Sequence, residues 1–503
     1  MRRRRAVRAA ALALAAPLLA AGCSWGSPAG TAPTPGAPVD AMADPPDLAD
    51  FYGQELAWVD CGDAECARLR VPLDYDDPAG GELELAITRV PARGERIGTL
   101  VVNPGGPGGS AVEYARAADY AVGDAVRDRF DVVGLDPRGV GDSIECLTDA
   151  QIDELAAVDG TPVTRADERV VIEAARMPAT GCAAGSPDMI AHVSTVDSAR
   201  DLDIARAVLG EDALTYLGKS YGTKLGALYA ELFPERVGRM VLDGALPASL
   251  DLVDITRGQA VGFEQALRDF VADCLTHDDC PLTGEVDPAM VQLRAWFDAR
   301  DASPLPAGDR DLTGGLASYA VLTNLYAPDY DYPRLRAALA DAMQDDDPTA
   351  LLELLDARIS RGPDGRYLDN STEAFYAITC LDQPFTGTVE DVRALAREWS
   401  VEAPTFGPGL AWTLLTCADW PVTAEPVRTT RAEGANPILV VSTRRDPATP
   451  YAWGEQLEDE LASGHLLTWE GRGHTAYLNG SGCVDAAVDA YLLEGTLPSG
   501  ACD

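Results

Sequence analysis

Basic residues are scarce in this chain. Its 503 residues carry 40 Lys and Arg against 80 Asp and Glu, a formal net charge of −40. That balance excludes DNA or RNA as a partner, because cationic groups drive such binding by displacing counterions from phosphate. It excludes polybasic attachment to a membrane surface for the same reason. Histidine is rarer still, with only His192, His277, His465 and His474. Beyond the N-terminus no uninterrupted apolar run is long enough to span a bilayer. No paired Cys-x-x-Cys spacing marks a zinc site, and neither a metal nor an organic cofactor is called for. Hydrophobic residues at 47% rule out wholesale disorder, and the length suits two or three domain-sized units.

The N-terminus reads as an address. Arg2, Arg3, Arg4, Arg5 and Arg8 precede an apolar stretch from Ala9 to Ala21, interrupted by Pro17 and too short for a permanent span. The stretch ends in Leu19-Ala20-Ala21-Gly22-Cys23, which resembles the lipobox of bacterial lipoproteins, with its Leu one place early. Two readings stand: lipidation at Cys23, or an ordinary secretory signal cleaved near the same place. Residues 1–22 are then a signal peptide. Residues 23–48, rich in Pro, Gly, Ala and Thr without periodicity, are a flexible linker. Either way the folded part is extracellular, secreted or anchored to the cell membrane by lipid alone.

Cysteine usage agrees with export. Apart from Cys23 there are ten: Cys61, Cys66, Cys146, Cys182, Cys274, Cys280, Cys380, Cys417, Cys483 and Cys502. An even number in an exported chain points to disulfides. Pairing neighbours closes every loop locally, although ten cysteines allow roughly nine hundred pairings. Cys274, His277 and Cys280 also admit a zinc reading, weakened by the missing second ligand pair.

From about residue 50, short β-branched runs alternate with helical stretches. Thr99–Asn103, Phe130–Asp136, Leu214–Leu217 and Met240–Leu242 read as strands, and 197–209 as a helix stopped by Gly210. Such alternation implies a parallel sheet covered on both faces. From 250 to 425 helical patterns dominate with no convincing strand, and strand signals return at 437–442 and 466–469. The expected organisation is an α/β core in two parts, 49–249 and 426–503, interrupted by a helical lid at 250–425.

Gly218-Lys219-Ser220-Tyr221-Gly222 is the only Gly-x-Ser-x-Gly, and it lies between a strand and a helix. A strand turning sharply into a helix exposes a serine hydroxyl, and the helix N-terminus favours developing negative charge. Without that context the pentapeptide would be weak, because a glycine-rich chain supplies such matches by chance. A serine hydroxyl needs a base. His474, on a Gly-rich loop after a strand, is placed for it; His192, His277 and His465 read as structural or solvent-facing. Asp446, directly after the strand 437–442, supplies an acid to orient that imidazole, although Asp-Pro alone reads as a turn. The loop 103–109 (Asn-Pro-Gly-Gly-Pro-Gly-Gly) lets backbone N–H groups approach an anion, so the oxyanion hole is assigned to the amides of Gly106 and Tyr221. A phosphate loop is the alternative, but the Lys-Ser/Thr ending is missing.

Together with Asp-Pro-Arg-Gly-Val-Gly-Asp-Ser (136–143) and Ala-Ile-Thr-Cys-Leu-Asp (377–382), these motifs resemble the secreted bacterial tripeptidyl aminopeptidases, α/β-hydrolase serine exopeptidases related to prolyl aminopeptidases. The resemblance covers most of residues 50–503 and is most specific in the nucleophile and glycine-loop motifs. It implies an α/β-hydrolase fold with a mostly parallel central sheet and an inserted helical lid domain. It also implies a Ser220/Asp446/His474 triad releasing short peptides, tripeptides foremost, from free N-termini. Glu373 and Asp382 flank the matching lid motif and are the acids expected to receive the substrate ammonium. Asp136, Arg138 and Asp142 are expected to fix a loop rather than touch substrate. A carboxylesterase or lipase with the same triad, and an inactive peptide-binding surface lipoprotein, are the alternatives.

Overall fold

A computed structural model of the chain describes residues 48–141, 144–308, 310–424, 427 and 429–503. The signal peptide, Cys23, nearly all of the linker and Asp142 lie outside the described residues.

Among the described residues twelve strands form: β1 (Val59–Asp60), β2 (Glu65–Pro72), β3 (Glu82–Val90), β4 (Gly98–Asn103), β5 (Phe130–Leu135), β6 (Leu214–Lys219), β7 (Val237–Asp243), β8 (Leu305–Ala307), β9 (Arg310–Leu312), β10 (Ile438–Arg445), β11 (Gly464–Arg472) and β12 (Ala501–Cys502). Ten of them make one sheet in the order β1-β2-β3-β5-β4-β6-β7-β10-β11-β12. The pairs from β5 through β12 are parallel, while β1, β2 and β3 add an antiparallel edge. This is the mostly parallel α/β-hydrolase sheet that the sequence led us to expect.

The central strands are apolar throughout because both faces are covered. Leu100, Val102, Leu217, Val241, Leu439 and Val441 pack to one side, with Val126, Tyr477 and Val488. Val101, Tyr216, Met240, Leu242, Ile438 and Val440 face the other, against Leu202 and Leu225. The period-two alternation of strands thus survives as a choice between two cores rather than between core and water.

Three helices carry residues that matter below: α1 (Tyr221–Leu232), α2 (Gly314–Thr323) and α3 (Ser371–Asp382). The long segment between β7 and β10 is not uniform. Phe270, Leu293, Leu335, Leu355 and their neighbours form a hydrophobic cluster of their own. Ala374, Ile378, Trp399 and Trp412 instead join the cluster on the sheet. The segment also contains the hairpin β8–β9, which the sequence did not signal because each strand is only three residues long. Between β4 and β5 lie three short helices, Ala111–Arg116, Ala118–Ala121 and Asp124–Arg127.

Among the described residues five disulfides join neighbouring cysteines: Cys61–Cys66, Cys146–Cys182, Cys274–Cys280, Cys380–Cys417 and Cys483–Cys502. The zinc alternative at Cys274 and Cys280 is therefore replaced by a bridge. Five bridges fit an oxidising compartment. Among the described residues no helix is long and apolar enough to cross a membrane.

Candidate active site

Strand order places five loops side by side at the carboxyl edge of the parallel sheet, the end where such sheets bind ligands. The glycine loop leaves β4, Ser220 leaves β6, Asp243 ends β7, Asp446 follows β10 and His474 follows β11.

Ser220 is the turn itself. Its φ of 55° lies in the left-handed region, which costs a non-glycine residue roughly 1–3 kcal/mol and persists where the surroundings enforce it. Here they do. The Ser220 amide donates to the Asp243 carbonyl at 2.9 Å, and the Ser220 carbonyl accepts from the Thr223 amide and hydroxyl at 2.9 and 2.6 Å. A methyl on Gly218 would overlap the Gly222 carbonyl, so the turn tolerates no side chain there. Helix α1 starts at the next residue, leaving its first amides without intrahelical acceptors.

The glycine loop closes over that helix start. Gly105 and Gly106 have φ of 96° and 115°, and a Cβ on Gly105 would stand 3.1 Å from the Tyr221 amide nitrogen and 2.9 Å from the Ser220 Cβ. Asn103 holds the bend, its Oδ1 accepting from the Gly105 amide at 2.9 Å. The loop thus brings backbone against the serine turn as closely as glycine permits.

His474 is gripped from two directions. On the sheet side its Nδ1 lies 2.9 and 3.0 Å from the two carboxylate oxygens of Asp446. Asp446 is only 4% exposed and also accepts from the amides of Ala448, Thr449 and Thr475 and the Thr449 hydroxyl, all at 2.9–3.0 Å. The turn reading and the acid reading of Asp446 are therefore both realised, the first serving the second. Thr449 Oγ1 also sits 3.3 Å from Nδ1. With Nδ1 occupied, Nε2 is the nitrogen left to exchange a proton. From the other side, the Tyr326 carbonyl accepts from the His474 amide at 2.8 Å, and the Tyr326 ring stands edge-on to the imidazole, centroids 5.3 Å apart.

The serine turn and the imidazole meet at Gly244. The Asp243 carbonyl anchors Ser220, and a Cβ on the next residue would lie 3.4 Å from His474 Cε1. Among the described residues Ser220 Oγ has no hydrogen bond of its own, and catalytic contacts of this kind tighten when substrate binds. Asp243 ties the same two loops through its side chain, which is fully buried and accepts from the amides of Ala476 and Tyr477. Burial raises its pKa, opposed by Lys219 and those amides. Burial likewise lowers that of Lys219, whose ammonium donates to the Tyr477 carbonyl at 2.7 Å.

The remaining expected residues fall elsewhere. Asp382 is buried in an ion pair with Lys224 at 2.9 Å, accepts from the Thr195 amide at 3.0 Å and receives the Thr195 hydroxyl. Glu373 is buried too, its Oε1 accepting from the amides of Cys146 and Leu147. Both acids are therefore engaged with groups of the protein. Asp136 accepts from Ser110 and the Val112 amide, and Arg138 pairs with Asp201 at 2.7 Å, so both fix loops. His465 bonds the Pro498 carbonyl and His277 lies half exposed near Asp273. Among the described residues no group of three or more His, Cys, Asp or Glu is arranged to hold a metal. Sequence reasoning missed Thr449, Asp243 and Tyr326. The first lies three residues beyond Asp446 and was open to local turn chemistry; Tyr326 carries no local signal.

Comparison with known proteins agrees with this geometry. Residues 403–502 match a family described as TAP-like protein, and residues 98–286 match the alpha/beta hydrolase fold. The chain is 39% identical over 473 residues to serine protease Hip1 of Mycobacterium tuberculosis, covering 89% of this chain and 90% of that one. It is 36% identical to carboxylesterase B of the same species, covering 97% and 94%, and 33% identical to tripeptidyl aminopeptidase of Streptomyces lividans, covering 88% and 84%. With that similarity running nearly end to end, this chain belongs to the TAP-like family of α/β hydrolases and is a serine hydrolase.

Proposed function

We propose that this protein is an exported serine exopeptidase that releases short peptides, tripeptides foremost, from free N-termini through an acyl-enzyme. Ser220 Oγ attacks the scissile carbonyl as its proton passes to His474 Nε2. The buried Asp446 carboxylate fixes the Nδ1–H tautomer and stabilises the imidazolium. The amides of Gly106 and Tyr221 receive the oxyanion at the helix start. His474 then gives its proton to the departing amine, and water, deprotonated by the same imidazole, releases the peptide acid and restores Ser220. The block 250–425 acts as a lid restricting access to short, unblocked ends. Residues 1–22 direct export, with Cys23 as the site of a lipid anchor.

The observation that carries this reading is the Asp446–His474 pair, held beside a serine locked in a left-handed turn. Its direct test compares an unblocked peptide with its N-acetylated twin: tripeptide release from the first alone is expected. The relative named carboxylesterase B supports an ester-cleaving reading. Rapid turnover of short acyl esters with no cleavage across a panel of tripeptidyl anilides would favour it.

A further inference from the structure

An enzyme that reads a free N-terminus must hold an ammonium ion, and the two acids expected from the sequence are engaged elsewhere. The structure offers another place. A cavity of about 540 Å³ lies between helix α2, helix α3 and the loop at 158–161. Its volume falls in the range of small-ligand sites.

Contacts on two sides place the cavity beside the triad. Thr372 and Tyr376 of α3 line it, and Ser371, the residue before Thr372, packs so closely on the glycine loop that a methyl at Gly108 would overlap its carbonyl. Leu322 of α2 lines it as well, and four residues further on Tyr326 holds the His474 amide and ring. The cavity walls are thus tied to the glycine loop through Ser371 and to His474 through Tyr326. Three extended residues span about 10 Å.

The walls suit a short peptide with a charged end. Tyr319, Tyr376, Leu322 and Phe406 give apolar and aromatic surface. Thr416, only 5% exposed, lines the cavity as well, and its hydroxyl has no hydrogen-bond partner among the described residues. At another part of the wall Asp301 and Asp159 flank the start of α2. Asp301 packs against Gly314, with the amides of Gly314 and Gly315 near its carboxylate, while the Asp159 Cα would lie 3.3 Å from a Cβ on Gly315. Asp159 Oδ1 accepts from the amide and hydroxyl of Thr161, and Asp298 lines the cavity nearby. Among the described residues no Lys, Arg or His pairs with any of these three acids. Arg294, on the same wall, faces Glu264 and Thr405.

We infer that this cavity receives the N-terminal residues of the peptide, with the α-ammonium held at Asp301 and Asp159 and the peptide's polar backbone engaging the Thr416 hydroxyl. The inference rests on the exopeptidase reading above and gives that reading its recognition site. It makes peptide length a consequence of the span between Ser220 and the acids at the start of α2.

The test is the ratio of kcat/KM for an unblocked tripeptidyl anilide to that for its desamino analogue, measured on the full exported protein, on Asp301→Asn and on Asp159→Asn. Asn keeps the shape and most hydrogen bonds, and fluorophosphonate labelling counts competent sites so that misfolding is separated from lost recognition. The ratio is expected to fall roughly tenfold to a hundredfold in each variant, the worth of a charge-assisted hydrogen bond. Wild-type ratios retained in both labelled variants would overturn the inference and leave the exopeptidase reading standing. A wild-type ratio near one would overturn that reading itself.

Discussion

The sheet edge and the inserted block meet at His474 but are built on different principles. At the sheet edge each functional group is fixed by chain local to a strand end. Ser220 sits in a turn enforced by Gly218 and Gly222, and Asp446 is saturated by amides two, three and twenty-nine residues away. In the block, by contrast, the relevant surfaces form where distant segments pack, as when α2 meets the loop at 158–161. The peptide stretch ending at Tyr326 is one of the joins between the two, since its carbonyl and ring both touch the base. The proposed function places chemistry at the sheet edge and selection in the packed insertion.

This division orders the expected effects of substitution. Ser220→Ala should lower turnover by on the order of a millionfold and abolish fluorophosphonate labelling, with unfolding temperature little changed. A labelled Ser220→Ala protein would move the chemistry away from the sheet edge. Asp446→Asn should leave labelling competence but cost on the order of ten-thousandfold in kcat, because the amide favours the wrong tautomer of His474. A loss of tenfold or less would mean that Thr449 or Asp243 orients the ring without it.

Lys224→Met sharpens the contrast from the other side. It strands the buried Asp382 carboxylate and should destabilise the fold by about 3–5 kcal/mol, read as a lower unfolding temperature. Asp382→Asn should keep the wild-type preference for unblocked over acetylated peptide, since that acid is tied to Lys224 and Thr195. Loss of the preference would return Asp382 to the substrate site.

The smallest expected effect is a shape rather than a loss. Burial, with the neighbouring Asp159, raises the Asp301 carboxyl to about 6, opposed by the amides of Gly314 and Gly315; Asp298 adds to the rise, and Arg294 shares the cavity wall. Below that pH the carboxyl is neutral and holds an ammonium weakly; above it the charge is present. The peptide ammonium itself loses its proton near 7.7–8.0. The ratio of kcat/KM for unblocked to acetylated peptide should therefore rise through about pH 6 and fall above about 8. Taking the ratio cancels any pH dependence of the chemical step, which both substrates share. A ratio flat across this range would detach Asp301 from recognition.

What the sequence made legible follows the same line. The Gly-Lys-Ser-Tyr-Gly turn, the glycine loop and the Asp-Pro turn are local devices, and their residue types state their geometry. The parallel sheet was legible because strands covered on both faces are apolar without interruption. The protein partners of Glu373 and Asp382 were not legible because a motif names an acid without showing what it touches; the Thr195, Lys224 and Cys146 groups that engage them lie far away in sequence. Asp159, Asp301 and Thr416 gave no signal at all, since each acquires its setting only when the cavity closes around it.

The central claim is that Ser220 accepts the acyl group of a peptide's N-terminal segment. Mixing the enzyme with an unblocked tripeptidyl ester, quenching in acid within the first turnover and mapping the digest by mass spectrometry tests it. The account predicts one covalent tripeptidyl adduct, on the peptide containing Ser220. Hydrolysis proceeding with no adduct there, or with the adduct on another residue, would contradict it.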